Sequence, residues 1–317
     1  MSAKQNGTVW VDGALRAWQS VSVPLMSDAV LRSVAVFEGM RADMAEDGRV
    51  RLLSGSAHVE RLLHSARVLR IPLRYGVGEI LEGAATVARA ELDSTGKRVA
   101  YVRPMALGAA LTEDSGPCSL SIAAFAQEDR APGTVRMQIS SLRRPAPDSL
   151  PSQVKAVANY QLTRLARITA QAAGYDDAIF LNHEGRLAEA AGAAVLVERQ
   201  GRVFTPPDWE GALSSITVDV IERIAAEVNV PFTREPVPLS TLLSADGIAL
   251  AGTLADLVDA TCLDDLAVPA GPGIATLRRH YREAMSGGEF APLLDFTSFP
   301  AAGTRRDGQG LSGRSRG

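Results

Sequence analysis

Two charged residues stand where a folded chain can least tolerate them unattended. Lys155 lies in Val154-Lys155-Ala156-Val157-Ala158-Asn159-Tyr160, between a proline-rich loop (Arg144 to Pro151) and a helical run beginning at Gln161. Glu189 is the single acid between Leu187 and Val195, a run otherwise made of small and apolar residues. An apolar setting strips both charges of solvation, so each needs a partner. Burial lowers the pKa of a lysine, and an amine that sheds its proton near neutral pH can attack a carbonyl and hold it as a Schiff base. Each residue also has a plainer reading: Lys155 as a surface residue at a loop-to-helix joint, Glu189 as a carboxylate exposed at a turn.

Around these two residues the chain alternates strand-like runs with helical stripes. Thr8 to Ala14 reads as a strand entering a tight Asp12-Gly13 turn, the start of a hairpin. Val34 to Ala42 reads as a strand with a bulge at Gly39. Two helices follow. In the first, after Ser54-Gly55-Ser56, residues Val59, Leu62, Leu63, Ala66 and Leu69 share a face; the second spans roughly 77–92. Strand-like runs cover 98–107 and 119–125, and the first holds Arg103, which among apolar neighbours calls for an anion or a carboxylate. A helix over 162–173 has Leu165, Ile168 and Ala172 in register, and Gly174 stops it. Hairpins are expected at 177–189 and 194–205, the former delivering Glu189 beside a sheet.

Ser214 and Ser215 then precede a helix on which Ile221, Ile224, Ala225 and Val228 share a face. Its free N–H groups and positive dipole end suit a phosphate, or the helix is simply well capped; Asp219 in the first turn favours the latter. The apolar strand 247–251 ends in Gly252-Thr253, a turn whose hydroxyl and N–H groups could hold a phosphate or an α-carboxylate.

A chain of 317 residues suits two domains. The polar, Pro- and Gly-bearing stretch from Gln127 to Gly133 marks the joint. The expected division is a small N-terminal α/β domain over 1–127, a linker over 128–133, a large domain over 134–300 and a disordered tail over 301–317. A formal net charge of −3 argues against nucleic acid or an anionic membrane as partner, and Arg143-Arg144 and Arg278-Arg279 read as solvated faces. Cys118 and Cys262 show no metal-ligand spacing, so no metal is expected, and both read as buried thiols in a reducing cytoplasm. The first residues lack the apolar core of a signal peptide, and no run of about 18 apolar residues occurs, which points to a cytoplasmic protein.

Seven segments, in order, resemble the class IV pyridoxal-phosphate aminotransferases, the family of branched-chain and D-amino acid aminotransferases and aminodeoxychorismate lyase. They are Val36 to Arg41, His58 to Leu62, Tyr101 to Pro104, Lys155 with Asn159-Tyr160, Glu189, Leu213 to Thr217 and Ala251 to Thr253. The spacing of 189 − 155 = 34 positions between lysine and glutamate is that of the branched-chain members. The resemblance implies an α/β (α+β) protein of fold type IV, two domains with pyridoxal 5'-phosphate in the cleft between them. It implies homodimers whose sites borrow a loop from the neighbour, and amino acid and 2-oxo acid substrates.

By the same resemblance Lys155 carries the cofactor and moves the substrate proton, Glu189 keeps the pyridine nitrogen protonated and Tyr160 bonds the phenolic oxygen. Arg61, Ile216, Thr217 and Thr253 hold the phosphate, with Leu213 beside the cofactor. Phe37, Tyr101, Arg103, Thr253 and Leu254 serve the substrate. Two other functions share these residues: a lyase acting on aminodeoxychorismate, and a non-catalytic relative, against which the intact Lys155 argues.

The chain departs from the branched-chain pattern at three places. Arg32-Ser33 replaces an aromatic residue and glycine, Ala190 to Ala194 replace a more polar Gly-Ser-Gly-x-Asn run, and Val218 replaces an arginine. Arg32 precedes Phe37 by five residues, on the segment expected to wall the side-chain pocket. There a guanidinium would forgo apolar contact worth about 1–3 kcal/mol and favour a polar or acidic substrate; pointing to solvent, it would leave leucine, isoleucine and valine as donors.

Overall fold

The computed structural model describes residues 7–108, 119–128, 133–146, 148–254 and 256–301. Cys118, most of the expected linker and the tail from 302 lie outside them. In the first half the strands are β1 Thr8–Val11, β2 Ala14–Ala17, β3 Ala35–Phe37, β4 Met40–Met44, β5 Val50–Leu53, β6 Val99–Leu107 and β7 Ser119–Gln127. The helices there are α1 Asp28–Leu31, α2 Gly55–Val68 and α3 Val77–Thr95. The second half supplies β8 Val135–Arg143, α4 Asn159–Ala172, β9 Asp177–Leu181, β10 Leu187–Ala190, β11 Ala194–Arg199, β12 Arg202–Thr205 and α5 Ile216–Glu227. It continues through β13 Phe232–Arg234, α6 Leu239–Leu243, β14 Gly247–Gly252, β15 Asp256–Leu263, β16 Leu266–Ala267, α7 Pro272–Met285 and β17 Phe296–Phe299.

Two sheets result. The first is antiparallel, in the order β17-β5-β4-β6-β7-β1-β2 with β3 also on β6. Its buried side packs on α2 and α3 through Val59, Leu62, Ile80, Ala84 and Val87, residues that recur at helical spacing. The second is mixed, in the order β10-β9-β8-β15-β14-β11-β12-β13, with α5 and α7 on one core and α4 on another. None of the helices among the described residues is long and apolar enough to cross a membrane.

Several expectations change. Gly39 is no bulge, because β3 and β4 meet β6 in one continuous register, Phe37 opposite Met105 and Met40 opposite Val102. The strand is interrupted there because it faces Pro104, which has no N–H to donate, while the Glu38 N–H donates to the Pro104 carbonyl at 2.9 Å. On α4 the buried face is Asn159, Thr163, Ala166 and Ala170, whereas Leu165 and Ile168 are exposed. Small residues let this helix lie close on β8 and β9, and the larger apolar stripe faces out. Cys262 is half-buried rather than buried, lying between Arg136 on β8 and Ala267 on the short outer strand β16. Finally, β17 pairs with β5, so the end of the segment 134–300 belongs to the first sheet.

Candidate active site

Lys155 reaches its position through backbone bonds that join the two halves. The loop after β8 forms an isolated bridge, Val36 opposite Ala156. The Phe37 N–H donates to the Lys155 carbonyl at 3.1 Å, and the Val157 N–H donates to Ala35 at 2.9 Å. Ser65 on α2 accepts the Lys155 N–H at 3.2 Å. The ammonium thereby comes within 2.6 Å of the Tyr160 hydroxyl, at the start of α4.

Around that pair the aromatic residues stack edge to face. The Tyr160 and Phe37 rings are 4.7 Å apart, and the Arg103 guanidinium lies 4.9 Å from the Phe37 centroid and 5.3 Å from that of Tyr101. Arg103 also donates to the Tyr101 hydroxyl at 3.2 Å, but its Nε is buried without a hydrogen-bond partner. The expected carboxylate is thus not supplied by a described side chain.

Glu189 arrives on β10 after a register shift between Leu187 and Glu189, an irregularity that turns its side chain into the cavity. Its Oε2 accepts the Leu213 N–H at 3.1 Å, and its Oε1 meets Arg144 Nε at 3.1 Å. Burial, the largest influence, raises the carboxyl's pKa, while Arg144 and the Leu213 N–H pull it back down. Arg144 is the chief correction here. Its side chain is 5% exposed, and Nε also donates to the Gly211 carbonyl at 3.2 Å, so it belongs to the site and not to a solvated face.

A third group gathers donors. Ser215 caps α5, its hydroxyl accepting the Val218 N–H at 3.3 Å, and Ile216 and Thr217 open the helix, where N–H groups have no carbonyl one turn back to bond. Asp219 lies in the first turn of α5, where a carboxylate answers the helix dipole, and Arg234 holds it at 2.6 Å. Arg61 on α2 donates to the Ser214 carbonyl and is anchored by Glu38, which takes Nε at 2.6 Å and a terminal nitrogen at 2.9 Å. The same carboxylate meets His58 Nδ1 at 2.8 Å. Glu38 is completely buried, which alone would raise its pKa, yet bonds from His58 and Arg61 bring it down to about 2. In turn the pair raises the pKa of Arg61 against the effect of its own burial.

One cavity is lined by Arg61, Arg144, Lys155, Tyr160, Glu189, Leu213, Ile216, Thr217 and Thr253 together. Phe37, Tyr101 and Arg103 stand beside it through their contacts with Tyr160 and Lys155. Leu254 does not line it and is half-exposed. Arg32 is elsewhere: its side chain is 63% exposed and pairs with Asp28 one helical turn away, because α1 ends there and turns it to the surface. Sequence reasoning gave no role to Glu38 and His58 and misassigned Arg144. Glu38 carries the signal that marked Glu189, a lone acid in an apolar run.

An amine, a half-buried carboxylate and a cluster of cationic and N–H donors in one cavity fit a phosphorylated pyridine aldehyde. The comparisons agree. Residues 35–261 match the family model for class IV amino-transferases. The branched-chain-amino-acid aminotransferase of Escherichia coli strain K12 is 29% identical over 282 residues, covering 86% of this chain and 89% of the relative. A solved branched-chain aminotransferase of Thermoproteus uzoniensis, crystallised with norvaline, superposes with a TM-score of 0.84 at 28% identity over 92% of this chain and 99% of that one. A solved T.th. branched-chain enzyme complexed with N-(5'-phosphopyridoxyl)-L-glutamate gives 0.82 at 28% identity, covering 92% and 98%. The chain belongs to the class IV aminotransferase family. It is a pyridoxal-phosphate-dependent transaminase of fold type IV, similar to the branched-chain aminotransferases, and the lyase reading is not favoured.

Proposed function

We propose that this chain moves an amino group between an amino acid with an apolar side chain and a 2-oxo acid bearing a second carboxylate, with Lys155 as the catalytic residue. The observation that carries the assignment is the 2.6 Å contact of Lys155 Nζ with Tyr160 in a cavity that also holds Glu189 and Arg61. Pyridoxal 5'-phosphate supplies the aldehyde and an electron-withdrawing ring that make the substrate α-proton removable. Lys155 Nζ would hold the cofactor's aldehyde carbon and, as general base and acid, would carry a proton between the substrate α-carbon and that cofactor carbon. Tyr160 keeps that nitrogen oriented. Glu189 holds a proton at the ring nitrogen, and Leu213 fixes the carboxylate through its N–H. Arg61, the Ile216 and Thr217 N–H groups and Thr253 bind the phosphate, the site to which a helix start and a fork of donors are suited.

Phe37, Tyr160 and Tyr101 offer aromatic surface to an apolar side chain, and the buried Nε of Arg103 suits a substrate carboxylate. A transaminase needs both, since its two substrates share one site in turn. The norvaline and L-glutamate compounds in the related structures support this reading. The surface position of Arg32 removes the argument that it makes this chain's own pocket polar. Comparing kcat/KM for leucine, norvaline, glutamate and aspartate, in the parent and in Arg103→Leu, tests it. Loss confined to the dicarboxylic substrates is expected; a parent that rejects leucine, or an Arg103→Leu variant that keeps glutamate, overturns it.

We also read the protein as a cytoplasmic homodimer of two-domain subunits. Support for the dimer comes from the apolar stretch around α1, where Leu25 is 76% and Met26 61% exposed in the single chain. The free thiol of Cys262 suits a reducing compartment. Light scattering of the parent and of a Leu25→Glu, Met26→Glu variant tests the dimer, which should dissociate only in the variant.

A further inference from the structure

Arg144 is the least expected member of the site. Nothing about a transaminase requires an arginine behind the carboxylate that faces the ring, and a buried guanidinium is costly unless it has a task. Its contacts are specific: Nε meets Glu189 Oε1 at 3.1 Å and the Gly211 carbonyl at 3.2 Å, while its own N–H donates to the Leu181 carbonyl at 3.0 Å. It is held by β9, by the turn before Leu213 and by Glu189 itself.

The other groups around Glu189 are few. Oε2 has the Leu213 N–H, and the remaining charges acting on the carboxylate are Lys155 and Arg61, both across the cavity lining. Both of those have other duties: Lys155 contacts Tyr160, and Arg61 is already neutralised by Glu38. Arg144 is therefore the cation committed to Glu189.

We infer that Arg144 is a positioning residue that sets where the proton between Glu189 and the cofactor's ring nitrogen resides, driving it onto the ring. The inference rests on the proposed pairing of Glu189 with that nitrogen. A proton shared by a carboxylate and a pyridine can sit on either. Passing it from Glu189 to a base bound against Glu189 carries positive charge away from the guanidinium, so Arg144 favours the ionised carboxylate and the protonated ring. Without it, burial returns the proton to Glu189 and leaves two neutral groups. The Gly211 contact fixes the guanidinium on the far oxygen, leaving Oε2 and the Leu213 N–H to orient the carboxylate.

The test measures cofactor affinity rather than turnover. Apoenzyme is titrated with pyridoxal 5'-phosphate and with its 1-deaza analogue, in which carbon replaces the ring nitrogen, and the ratio of the two Kd values is read in the parent, Arg144→Lys and Arg144→Gln. A charge-assisted hydrogen bond gives the parent a preference of roughly ten- to hundredfold for the nitrogen compound. Arg144→Lys keeps most of that preference. Arg144→Gln, which retains a donor of similar reach without the charge, loses it, leaving the two Kd values within about threefold. Arg144→Met serves as a second neutral variant if the glutamine variant does not fold, and if neither folds, the preference in Arg144→Lys must disappear as the pH exceeds that lysine's pKa. A preference that survives in a folded neutral variant, or in discharged Arg144→Lys, overturns the inference, because a purely structural arginine weakens both compounds equally. A parent without any preference overturns instead the pairing of Glu189 with the ring nitrogen.

Discussion

Glu38 receives Arg61 through two nitrogens, at 2.6 and 2.9 Å, while exposing none of its own surface. A buried pair of this kind is weak evidence for stability, but breaking it by removing one partner leaves an uncompensated charge and costs about 3–5 kcal/mol. Because Arg61 also donates to the Ser214 carbonyl, the pair connects β3 and α2 to the turn that opens α5. Glu38→Gln should lower the thermal midpoint and weaken pyridoxal phosphate by about ten- to hundredfold, measured by apoenzyme titration. Unchanged affinity with a lowered midpoint would confine Glu38 to a structural role.

Acid should act on this cluster in two stages. His58 is buried, and burial lowers its pKa below 6.5 despite the bond to Glu38. The unfolded chain therefore takes up a proton that the folded one refuses, and stability begins to fall as the pH drops below 6.5. Glu38 runs from 4.5 unfolded to about 2 folded. Its stabilisation, on the order of 3 kcal/mol, is whole above the unfolded value and is lost as the pH falls toward the folded one. Urea midpoints between pH 3 and 7 should show the upper stage vanish in His58→Gln and persist in Arg61→Lys.

Gly39 can be no other residue while Tyr101 keeps its place. A methyl there would stand 2.5 Å from Tyr101 Cε2 and 2.7 Å from Cζ. Gly39→Ala should cost roughly 1–3 kcal/mol and raise KM by displacing the ring that Arg103 leans on. In a chain that already carries Tyr101→Ala, Gly39→Ala should cost almost nothing further in stability while KM stays raised, a non-additivity that denaturation and steady-state kinetics would measure together.

Lys155→Ala should abolish transamination and leave the fold intact, since its backbone bonds to Phe37 and Ser65 do not use the side chain. Borohydride treatment of the parent with its cofactor, followed by peptide mass analysis, should place the label on Lys155. Label on Lys97, which is held in an ion pair with Glu128, would contradict the assignment.

The sequence made the elements of this fold legible because most of them bury a clear face. Val59, Leu62 and Ala66 repeat as a helix must, and Asp12-Gly13 closes its hairpin with positive φ at both residues. The failures have physical causes. Leu165 and Ile168 form an apolar stripe that the single chain leaves exposed, so periodicity alone pointed to the wrong face of α4. Arg144 looked solvated because a neighbouring arginine and a proline-rich loop surround it in sequence; its partner Glu189 lies 45 positions on, across the sheet. Arg32 follows a four-residue helix whose end, not its spacing from Phe37, sets its direction.

The pairing of β17 with β5 also orders events during synthesis. As the nascent chain leaves the ribosome, β1 to β7 can pair among themselves, yet β5 keeps an open edge until residues 296–299 have emerged. For most of translation, then, that edge can recruit another polypeptide. Ribosome-bound chains ending before Phe296 should be aggregation-prone at β5, and the sheet that is begun first is the one that is completed last.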